Sequence, residues 1–595
     1  MTALSPAQQM AATHRGHLLV AACPGAGKTT VLKFRAENLL RDAPASRLAA
    51  VTFTSEAATS LRERITRQYP AAKSRVQAGT FHNLCGQQLK RAGKEMVLLN
   101  EAKSLREIGH LLDKCPHSHE GITAQDAAAQ IQEWQRVLDA DVPAAGESAL
   151  GWVYHEYTRG KAARRVRDFG DLILHAVLGM RAGDVAPLDV DFMLVDEFQD
   201  TDAMQLEWVL AHARNGTQVT IVGDDDQSIY GWRGSLGYEG MLRFQRETDA
   251  TLVTLDRTFR CTVPVLKPAA VLIGHNLSRV PKQLVTSNTK PGQATVRTFE
   301  DRDAEVSALV TAILADGDFG QWGVIARTNA LLDGIEAALA RPGVPYTRSG
   351  GRSFWDQKAP SLLMGMAQSL ANRDMEGIGE MLRHARVRPQ TLEELSSTLT
   401  FGRPGSMDGF VSGGLPRSTS RNDRVVLQHF QERARDWMKL SGSPTGVQLA
   451  LNGMAMSIQK MYPWKGAESQ ETPRRLAQAA ASIGQMNGSL SQRLRALAAS
   501  KKKTGGSDSV SLLTMHASKG LEFERVWIVG VEDGVLPSTR DGSDIDEERR
   551  LLYVGITRAM TDVTLSYSLE RGPSRFLKEA RLIGSDLLAT NIPGI

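Results

Sequence analysis

A glycine-rich turn that ends in lysine and threonine is the clearest chemical signal in this 595-residue sequence. The turn follows the apolar run HLLVAAC and precedes a helical pattern, and its residues are Pro24, Gly25, Ala26, Gly27, Lys28, Thr29 and Thr30. Glycines let backbone N–H groups curve around phosphates, and the N-terminus of the following helix favours an anion. Lys28 would neutralise phosphate charge and Thr29 would hold Mg²⁺. Because Ala22 stands where the common pattern has its first glycine, an ordinary turn at a helix start is the alternative.

An apolar strand that delivers two adjacent carboxylates is the second signal. Residues 192–195 read Phe-Met-Leu-Val, and Asp196 and Glu197 follow directly. Ligands of open α/β sheets bind at the carboxyl ends of the strands. Neighbouring strand residues point in opposite directions, so Asp196 would contribute to the Mg²⁺ shell while Glu197 polarises an attacking water. The alternative is a pair of solvated acids, which is less favoured beside a phosphate loop.

A further apolar strand ends in the loop GDDDQSIYGWRG at residues 223–234. Gln227 is suited to sense the terminal phosphate of a nucleotide, and Tyr230 and Trp232 follow it within five residues. This pattern predicts a loop that couples the nucleotide to whatever the aromatic side chains bind.

The elements around these motifs predict an α/β fold with two cores. Short apolar runs alternate with helical patterns at the start of the chain, as in a parallel sheet, and the rhythm resumes after a helical stretch. A second α/β rhythm is interrupted by a stretch rich in Gly, Ser, Pro and Arg. We expect the first core at 1–86 and 166–256, its helical insertion at 87–165, the second core at 257–365 and 505–595, and a basic insertion at 366–504.

Charge and composition exclude several classes of protein. The chain has 71 Lys and Arg against 66 Asp and Glu, a net charge of +5, and residues 371–510 alone hold 20 against 12. The four cysteines are too scattered for a disulfide framework or a zinc site. No apolar run approaches roughly 18 residues, and the N-terminus lacks a signal-peptide pattern. We therefore expect a cytoplasmic protein of several domains, without a membrane partner.

A series of motifs in one order resembles those of superfamily 1A DNA helicases of the UvrD/Rep/PcrA family. They are LSPAQQ, CPGAGKTT, AVTFTSEAA, GTFHNLC, DFGDL, LVDEFQDT, VGDDDQSIYGWRG, LDRTFR, VIARTNA, LLTMHASKGLEFE and EERRLLYVGITRA. The resemblance covers nearly the whole chain except roughly 87–165 and 390–504. It implies two RecA-like parallel-sheet motor domains, 1A and 2A, each interrupted by a mostly helical insertion, 1B and a shortened 2B.

The resemblance also implies roles around ATP and Mg²⁺. Gln8 would read the adenine edge, and Phe259 would stack on the base where the family usually has Tyr. Arg260 and Arg558 would reach the γ-phosphate from the second core, and Glu522 would lie near the ribose and Mg²⁺. The implied catalytic residues are Lys28, Glu197, Gln227, Arg260 and Arg558, with Thr29 and Asp196 on the metal.

Movement along a single strand needs stacking surfaces and contacts to the backbone. By family match, Phe53, Tyr230 and Trp232 would be stacking or pocket walls. For Phe53 a core position is the alternative, since it follows a buried strand. The residues implied near phosphates or bases are Thr80, His82, Arg233, Arg327, Thr514 and His516.

The implied activity is DNA-stimulated ATP hydrolysis that drives 3′ to 5′ movement on single-stranded DNA and unwinding of tailed duplex, as in DNA repair. One alternative is a translocase subunit that unwinds poorly alone and serves a partner nuclease, or strips proteins from DNA in repair or defence. It is raised because 387–389 read Val-Arg-Pro where the family has a Gly-Ile-Gly hairpin, and Gly-Ile-Gly lies earlier, at 377–379. The other alternative is an ATP-gated DNA-binding switch. Stacking and phosphate contacts do not distinguish DNA from RNA.

Overall fold

Two compact units make up the computed structural model of this protein. The structure describes residues 4–398, 406–502, 508–539 and 542–584. The first unit runs from residue 4 to 291 and includes 542–553, and the second unit holds the other described residues.

The first unit is built on a six-stranded parallel sheet with the strand order β3-β2-β6-β7-β1-β8. Two further pairs, β4 with β5 and β9 with β10, lie outside that sheet. The strands are β1 (Leu18–Ala22), β2 (Leu48–Thr52), β3 (Val76–Thr80), β4 (Val97–Leu98), β5 (Val166–Arg167), β6 (Phe192–Val195), β7 (Gln218–Gly223), β8 (Thr251–Leu255), β9 (Arg257–Thr262) and β10 (Val285–Asn288). Every residue of β1, β2 and β6 is buried, as expected where helices cover both faces of a parallel sheet.

Helices cover this sheet and form the first insertion. They are α1 (Pro6–Thr13), α2 (Lys28–Asp42), α3 (Ser55–Gln68), α4 (Phe81–Arg91), α5 (Glu101–Lys114), α6 (Ala124–Gln135), α7 (Ala149–Arg164), α8 (Phe169–Ala182), α9 (Ala203–Arg214), α10 (Gly237–Thr248) and α11 (Val263–Ile273). Capping boxes start α1, α6, α8 and α9, which locates these helix ends in the sequence. Helices α5, α6 and α7 bury their own small apolar cluster around Ile131 and Val153.

The second unit repeats the plan with a six-stranded parallel sheet in the order β11-β16-β15-β12-β14-β13. Its strands are β11 (Gln293–Phe299), β12 (Trp322–Ala326), β13 (Tyr346–Ser349), β14 (Val510–Thr514), β15 (Phe523–Val529) and β16 (Ala559–Ser568). The remaining helices are α12 (Arg302–Asp316), α13 (Asn329–Ala340), α14 (Lys358–Asn372), α15 (Glu376–His384), α16 (Pro389–Thr398), α17 (Met407–Ser412), α18 (Arg421–Leu440), α19 (Pro444–Met461), α20 (Ala467–Gly484), α21 (Leu490–Lys502), α22 (Ile545–Ile556) and α23 (Arg575–Glu579). Helices α14 to α21 share an apolar core that includes Phe430, Trp437 and Met454.

The structure confirms the predicted fold class: two parallel-sheet α/β domains, each with a mostly helical insertion. The predicted second core begins at 257, whereas residues 257–291 group with the first unit. The reason is local hydrogen bonding, because the backbone N–H of Phe259 donates to the carbonyl of Gly25 at 3.0 Å. Within the described ranges, every helix is too short or too polar to span a bilayer.

Candidate nucleotide and nucleic-acid site

The turn between β1 and α2 has the backbone of a phosphate-binding loop. Gly25 and Gly27 have φ of +71° and +80°, in the left-handed region that favours glycine. A β-carbon on Gly25 would lie 2.6 Å from that of Arg260, so the close approach of β9 also requires glycine. Gly27 caps α2 and, as a glycine, has no side chain to accept a hydrogen bond from the first turn of that helix. Its N–H groups and helix dipole therefore suit a phosphate.

Lys28 and Glu197 lie together at the carboxyl edge of the sheet. The Nζ atom of Lys28 donates to Oε2 of Glu197 at 2.6 Å. Burial disfavours the charged ammonium, but Glu197 and Asp196 outweigh it and hold the pKa of Lys28 above its ordinary value. Lys28 is therefore a cation at neutral pH, as a phosphate-binding lysine must be.

Asp196 is the first residue after β6, and Oδ1 accepts the backbone N–H of Glu197 at 3.0 Å. Desolvation, and then the negative charge of Glu197, raise the pKa of Asp196 to about 6. Carboxylate and hydroxyl oxygens are ligands that Mg²⁺ accepts. The oxygen donors of Asp196, and of Thr29 in the first turn of α2, are thus of the kind that suits Mg²⁺, whose charge would favour the ionised carboxylate; that these two residues hold the ion stays a prediction.

Gln8 ties α1 to the phosphate loop. Its Oε1 accepts the backbone N–H of Ser5 at 2.9 Å, and its Nε2 donates to the carbonyl of Ala26 at 2.9 Å. Phe259 lies on β9, its side chain half exposed and its backbone bonded to Gly25. The structure thus brings together Gln8, Phe259 and the loop, while their contacts to adenine stay a prediction.

Arg260 lies on the first unit beside the loop, not on the second core from which the resemblance implied its approach. Its carbonyl accepts a hydrogen bond from Nδ2 of Asn288 at 2.6 Å, which fixes β9 to β10. Strands β9 and β10 are separate from the second sheet, and this explains the difference from the sequence prediction.

The loop after β7 buries three consecutive aspartates around one lysine. Nζ of Lys282 lies 2.8 Å from Asp224, 2.7 Å from Asp225 and 2.9 Å from Asp226, and all four side chains are almost fully buried. Burial disfavours the ammonium, but these carboxylates hold the pKa of Lys282 well above its ordinary value. Arg279 adds two bonds to Asp226, at 2.7 and 2.6 Å. The motifs do not include Lys282 and Arg279, although three consecutive aspartates, once buried, require nearby cations.

Lys282→Met is expected to destabilise the first unit by on the order of 3–5 kcal/mol, because it leaves buried carboxylates without their counter-charge. Chemical denaturation followed by fluorescence measures this. Lys267→Met, at an exposed position on α11, is the matched control and should unfold like the wild type. Equal unfolding midpoints for the two variants would contradict the role of Lys282.

Gln227 is held within the same loop, where its Nε2 donates to Oδ2 of Asp224 at 2.6 Å. The loop then leads to an exposed aromatic surface. The Trp232 side chain is 65% exposed, and the guanidinium of Arg233 lies 4.5 Å from its ring centroid and 5.5 Å from that of Tyr230. Such an exposed indole is available for stacking.

The other residues of the first unit that are predicted to contact nucleic acid, Phe53, Thr80 and His82, differ in exposure and in their contacts. Phe53 follows β2, is 36% exposed and contacts Phe81 edge-on at 5.9 Å, so it is neither a core residue nor fully free. The hydroxyl of Thr80 caps α4. Burial, and then the charge of Arg136, lower the pKa of His82.

Phe169 belongs to the DFGDL motif but has no predicted role of its own. Its side chain is 50% exposed and meets the His82 ring edge-on at 5.9 Å. Phe169 therefore adds a half-exposed aromatic ring beside His82, one of the residues predicted to lie near nucleic acid. An aromatic residue between two acids of a capping box, Asp168 and Asp171, was the available signal.

The predicted residues of the second unit lie at one edge of its sheet. Arg327 directly follows β12, and Thr514 ends β14, paired with Ala326 in register. His516 comes two residues after Thr514, whose hydroxyl accepts the backbone N–H of Ala517 at 3.3 Å. This edge is the ligand side of a parallel sheet.

Arg558 is buried within the second unit. Its Nε donates to the carbonyl of Val554 at 3.0 Å and its Nη1 to that of Leu521 at 3.2 Å. Glu522, next in sequence to Leu521, is exposed. Arg558 and Glu522 are therefore neighbours, while the contact of Arg558 with phosphate and the place of Glu522 near the ribose and Mg²⁺ stay predictions.

A parallel sheet whose first strand feeds a glycine loop, with lysine and paired acids at its edge, defines a P-loop nucleotide-binding protein. The UvrD/REP helicase N-terminal domain matches residues 4–249, and the UvrD-like helicase C-terminal domain matches residues 465–570. The chain belongs to the UvrD/Rep/PcrA family of helicases.

Its relatives match it over nearly their full length. The ATP-dependent DNA helicase Rep of Escherichia coli (strain K12) is 28% identical over 97% of this chain and 94% of the relative. The ATP-dependent DNA helicase PcrA of Leuconostoc citreum is 28% identical over 98% of this chain and 85% of its own. DNA helicase II of Escherichia coli (strain K12) is 28% identical, with 97% and 86% covered.

Proposed function

We propose that this protein is a DNA-stimulated ATPase that moves 3′ to 5′ along single-stranded DNA and unwinds tailed duplex DNA. The observation that carries the proposal is the continuous loop from Asp224 to Arg233. It starts at Asp224, which Gln199 joins to Glu197 at the acidic strand end, and it ends in an exposed indole and guanidinium. Nucleotide chemistry and a stacking surface thus share one short segment.

In this proposal the hydrolytic step uses residues of the first unit. Lys28 neutralises phosphate charge, and the loop N–H groups between Gly25 and Thr29 orient the phosphates. Glu197 accepts a proton from the attacking water, and Gln227 senses the terminal phosphate. Mg²⁺ held by Asp196 and Thr29 would screen the charge of the β- and γ-phosphates. Movement would follow from ATP-dependent changes in the loop that carries Trp232.

Hydrolysis and polarity are tested together. Steady-state ATPase, with and without single-stranded DNA, should show strong stimulation by DNA. A duplex with a 3′ single-stranded tail should be unwound and one with a 5′ tail should not. Turnover limited to one ATP per protein would favour an ATP-gated binding switch, and equal stimulation by RNA would remove the restriction to DNA.

Trp232→Ala should raise the single-stranded DNA concentration for half-maximal ATPase stimulation. Base stacking on an aromatic side chain is worth roughly 1–3 kcal/mol, which corresponds to about a 5- to 150-fold change. Trp232→Phe keeps a stacking face and should recover most of the affinity. If Trp232→Ala needs the same DNA concentration for half-maximal stimulation as the wild type, Trp232 does not stack on the bound strand.

A second candidate is a translocase that unwinds poorly alone and serves a partner nuclease or strips proteins from DNA. This candidate is favoured because Gly377 and Ile378, from the Gly-Ile-Gly sequence, are buried within helix α15. Both backbone N–H groups donate to the Ser369 hydroxyl on α14, and a β-carbon on Gly377 would lie 1.9 Å from the carbonyl oxygen of Gly365. Gly377 therefore serves the packing of α15 on α14, and residues 377–379 lie within a helix rather than in a hairpin.

The segment that replaces the hairpin is also engaged within the second unit. Arg388 directly precedes α16, and its Nε donates to Asp423 on α18 at 2.8 Å. Translocation on bare single strands and strand displacement on a 3′-tailed duplex separate the two candidates. Fast translocation with little displacement would favour the second, and displacement at comparable rates would favour autonomous unwinding.

A further inference from the structure

Gln199 is fully buried two residues after Glu197, and its side chain contacts both loops of the nucleotide site. We propose that Gln199 is a positioning residue that holds the water-activating carboxylate of Glu197 in register with the loop that carries Gln227. This inference rests on the proposed ATP hydrolysis and assigns a part of that machinery to a residue that the sequence motifs left without a role.

The first contact restrains Glu197. Nε2 of Gln199 donates to Oε2 of Glu197 at 2.6 Å. Glu197 has φ of +52°, a left-handed conformation that is uncommon for a residue with a side chain. Backbone in this region persists where surrounding contacts hold it. The amide of Gln199 therefore fixes a carboxylate whose position the backbone alone would not secure.

The second contact reaches the neighbouring loop. Oε1 of Gln199 accepts a hydrogen bond from the backbone N–H of Asp224 at 3.0 Å, and the backbone carbonyl of Gln199 accepts one from the Ser228 hydroxyl at 3.3 Å. The carboxylate of Asp224 in turn accepts Nε2 of Gln227 at 2.6 Å. Gln199 therefore links Glu197 to both ends of segment 224–228, through two side-chain hydrogen bonds and one backbone hydrogen bond.

The residue type follows from these partners. A carboxylate needs a donor and a backbone N–H needs an acceptor, and a primary amide supplies both at once. The neighbouring strand makes room for it, because a β-carbon on Gly223 would lie only 2.5 Å from Oε1 of Gln199. Glutamine at 199 and glycine at 223 are therefore matched to each other.

Gln199→Met tests the proposal, since it keeps the volume but removes the donor and the acceptor. We expect kcat of the DNA-stimulated ATPase to fall by about 10- to 100-fold, because small misplacements of reacting groups cost factors of this order. The KM for ATP and the affinity for single-stranded DNA should each change by less than about twofold, because Gln199 is placed on neither ligand.

Gln88→Met is the matched control. Gln88 is also buried in the first unit, where it accepts from Nε1 of Trp208 at 2.7 Å and donates to the carbonyl of Ala186 at 3.1 Å, outside the nucleotide site. Its variant should lose a similar amount of thermal stability, as the same kind of buried amide is lost, but keep its kcat. The contrast separates a positioning role from general destabilisation.

The proposal is overturned if Gln199→Met keeps a kcat within about twofold of that of Gln88→Met. If Gln199→Met does not fold, Gln199→Asn takes its place, because the shorter amide cannot span both partners, and full activity there overturns the proposal as well. A wild-type protein without DNA-stimulated ATPase would instead refute the proposed function, so the two failures are distinct.

Discussion

Glu197→Gln is expected to lower kcat for DNA-stimulated ATP hydrolysis by about 10²- to 10⁴-fold, the usual contribution of a general base. Glutamine is isosteric with glutamate but cannot accept the proton of the attacking water. The geometry supports the role, because Oε2 of Glu197 is held by Lys28 and Gln199 at 2.6 Å each. Measurement of steady-state phosphate release at saturating ATP and DNA gives the ratio directly.

The same variant should still bind ATP and single-stranded DNA, because the phosphate loop and the aromatic surface are unchanged. Equilibrium binding of a fluorescent nucleotide and of a labelled oligonucleotide measures both. Glu239→Gln, at an exposed position on α10, is the control and should hydrolyse ATP like the wild type. Near-normal turnover in Glu197→Gln would withdraw the water-activating role from this residue.

Arg260→Ala is expected to reduce kcat by about 10³- to 10⁵-fold, the range for arginines that stabilise phosphoryl transfer. A planar guanidinium suits a phosphoryl group whose charge spreads in the transition state. The position of Arg260 supports this expectation, because Arg260 lies directly against the phosphate loop. A β-carbon added to Gly25 of that loop would lie 2.6 Å from the β-carbon of Arg260. Single-turnover hydrolysis of prebound ATP isolates the chemical step.

Arg257→Ala is the matched control for Arg260. Arg257 lies on the same strand, β9, but is exposed and donates to the hydroxyl of Ser287 at 3.1 Å. We expect its kcat to stay within about threefold of the wild type, in line with the small contribution of exposed ionic groups. Equal losses in the two variants would show that β9 stability, rather than the guanidinium at 260, is being measured.

Local patterns predicted the backbone of the candidate nucleotide site. The phosphate loop and the acidic strand end are contiguous in sequence, so their residue types and spacing predict their backbone. Gln227 was singled out for the same reason, after another buried strand, and its contact with phosphate stays a prediction. Their convergence was also predictable, since parallel strands deliver their carboxyl ends to one edge of a sheet. The fold class followed from the same alternation of strand and helix.

Contacts between distant parts of the chain were not predictable in this way. Lys282 lies 58 residues from Asp224, yet its ammonium is buried among three carboxylates of that loop. Gly377 matched a motif by letters but serves the packing of α15 on α14. The family resemblance placed Arg260 on the second core, whereas in the structure its strand, β9, is hydrogen-bonded to Gly25 and belongs to the first unit.

The amino-acid order alone was therefore sufficient for the local placement of single groups, namely Lys28 at the start of the helix after the glycine loop, and Asp196 and Glu197 at the end of their strand. These features depend on backbone conformation and on periods of a few residues. How the buried groups are neutralised and aligned, by Lys282 and Gln199, depended on the folded chain. Desolvated charges and amides must find partners wherever packing brings them, and no pattern within a single segment names those partners.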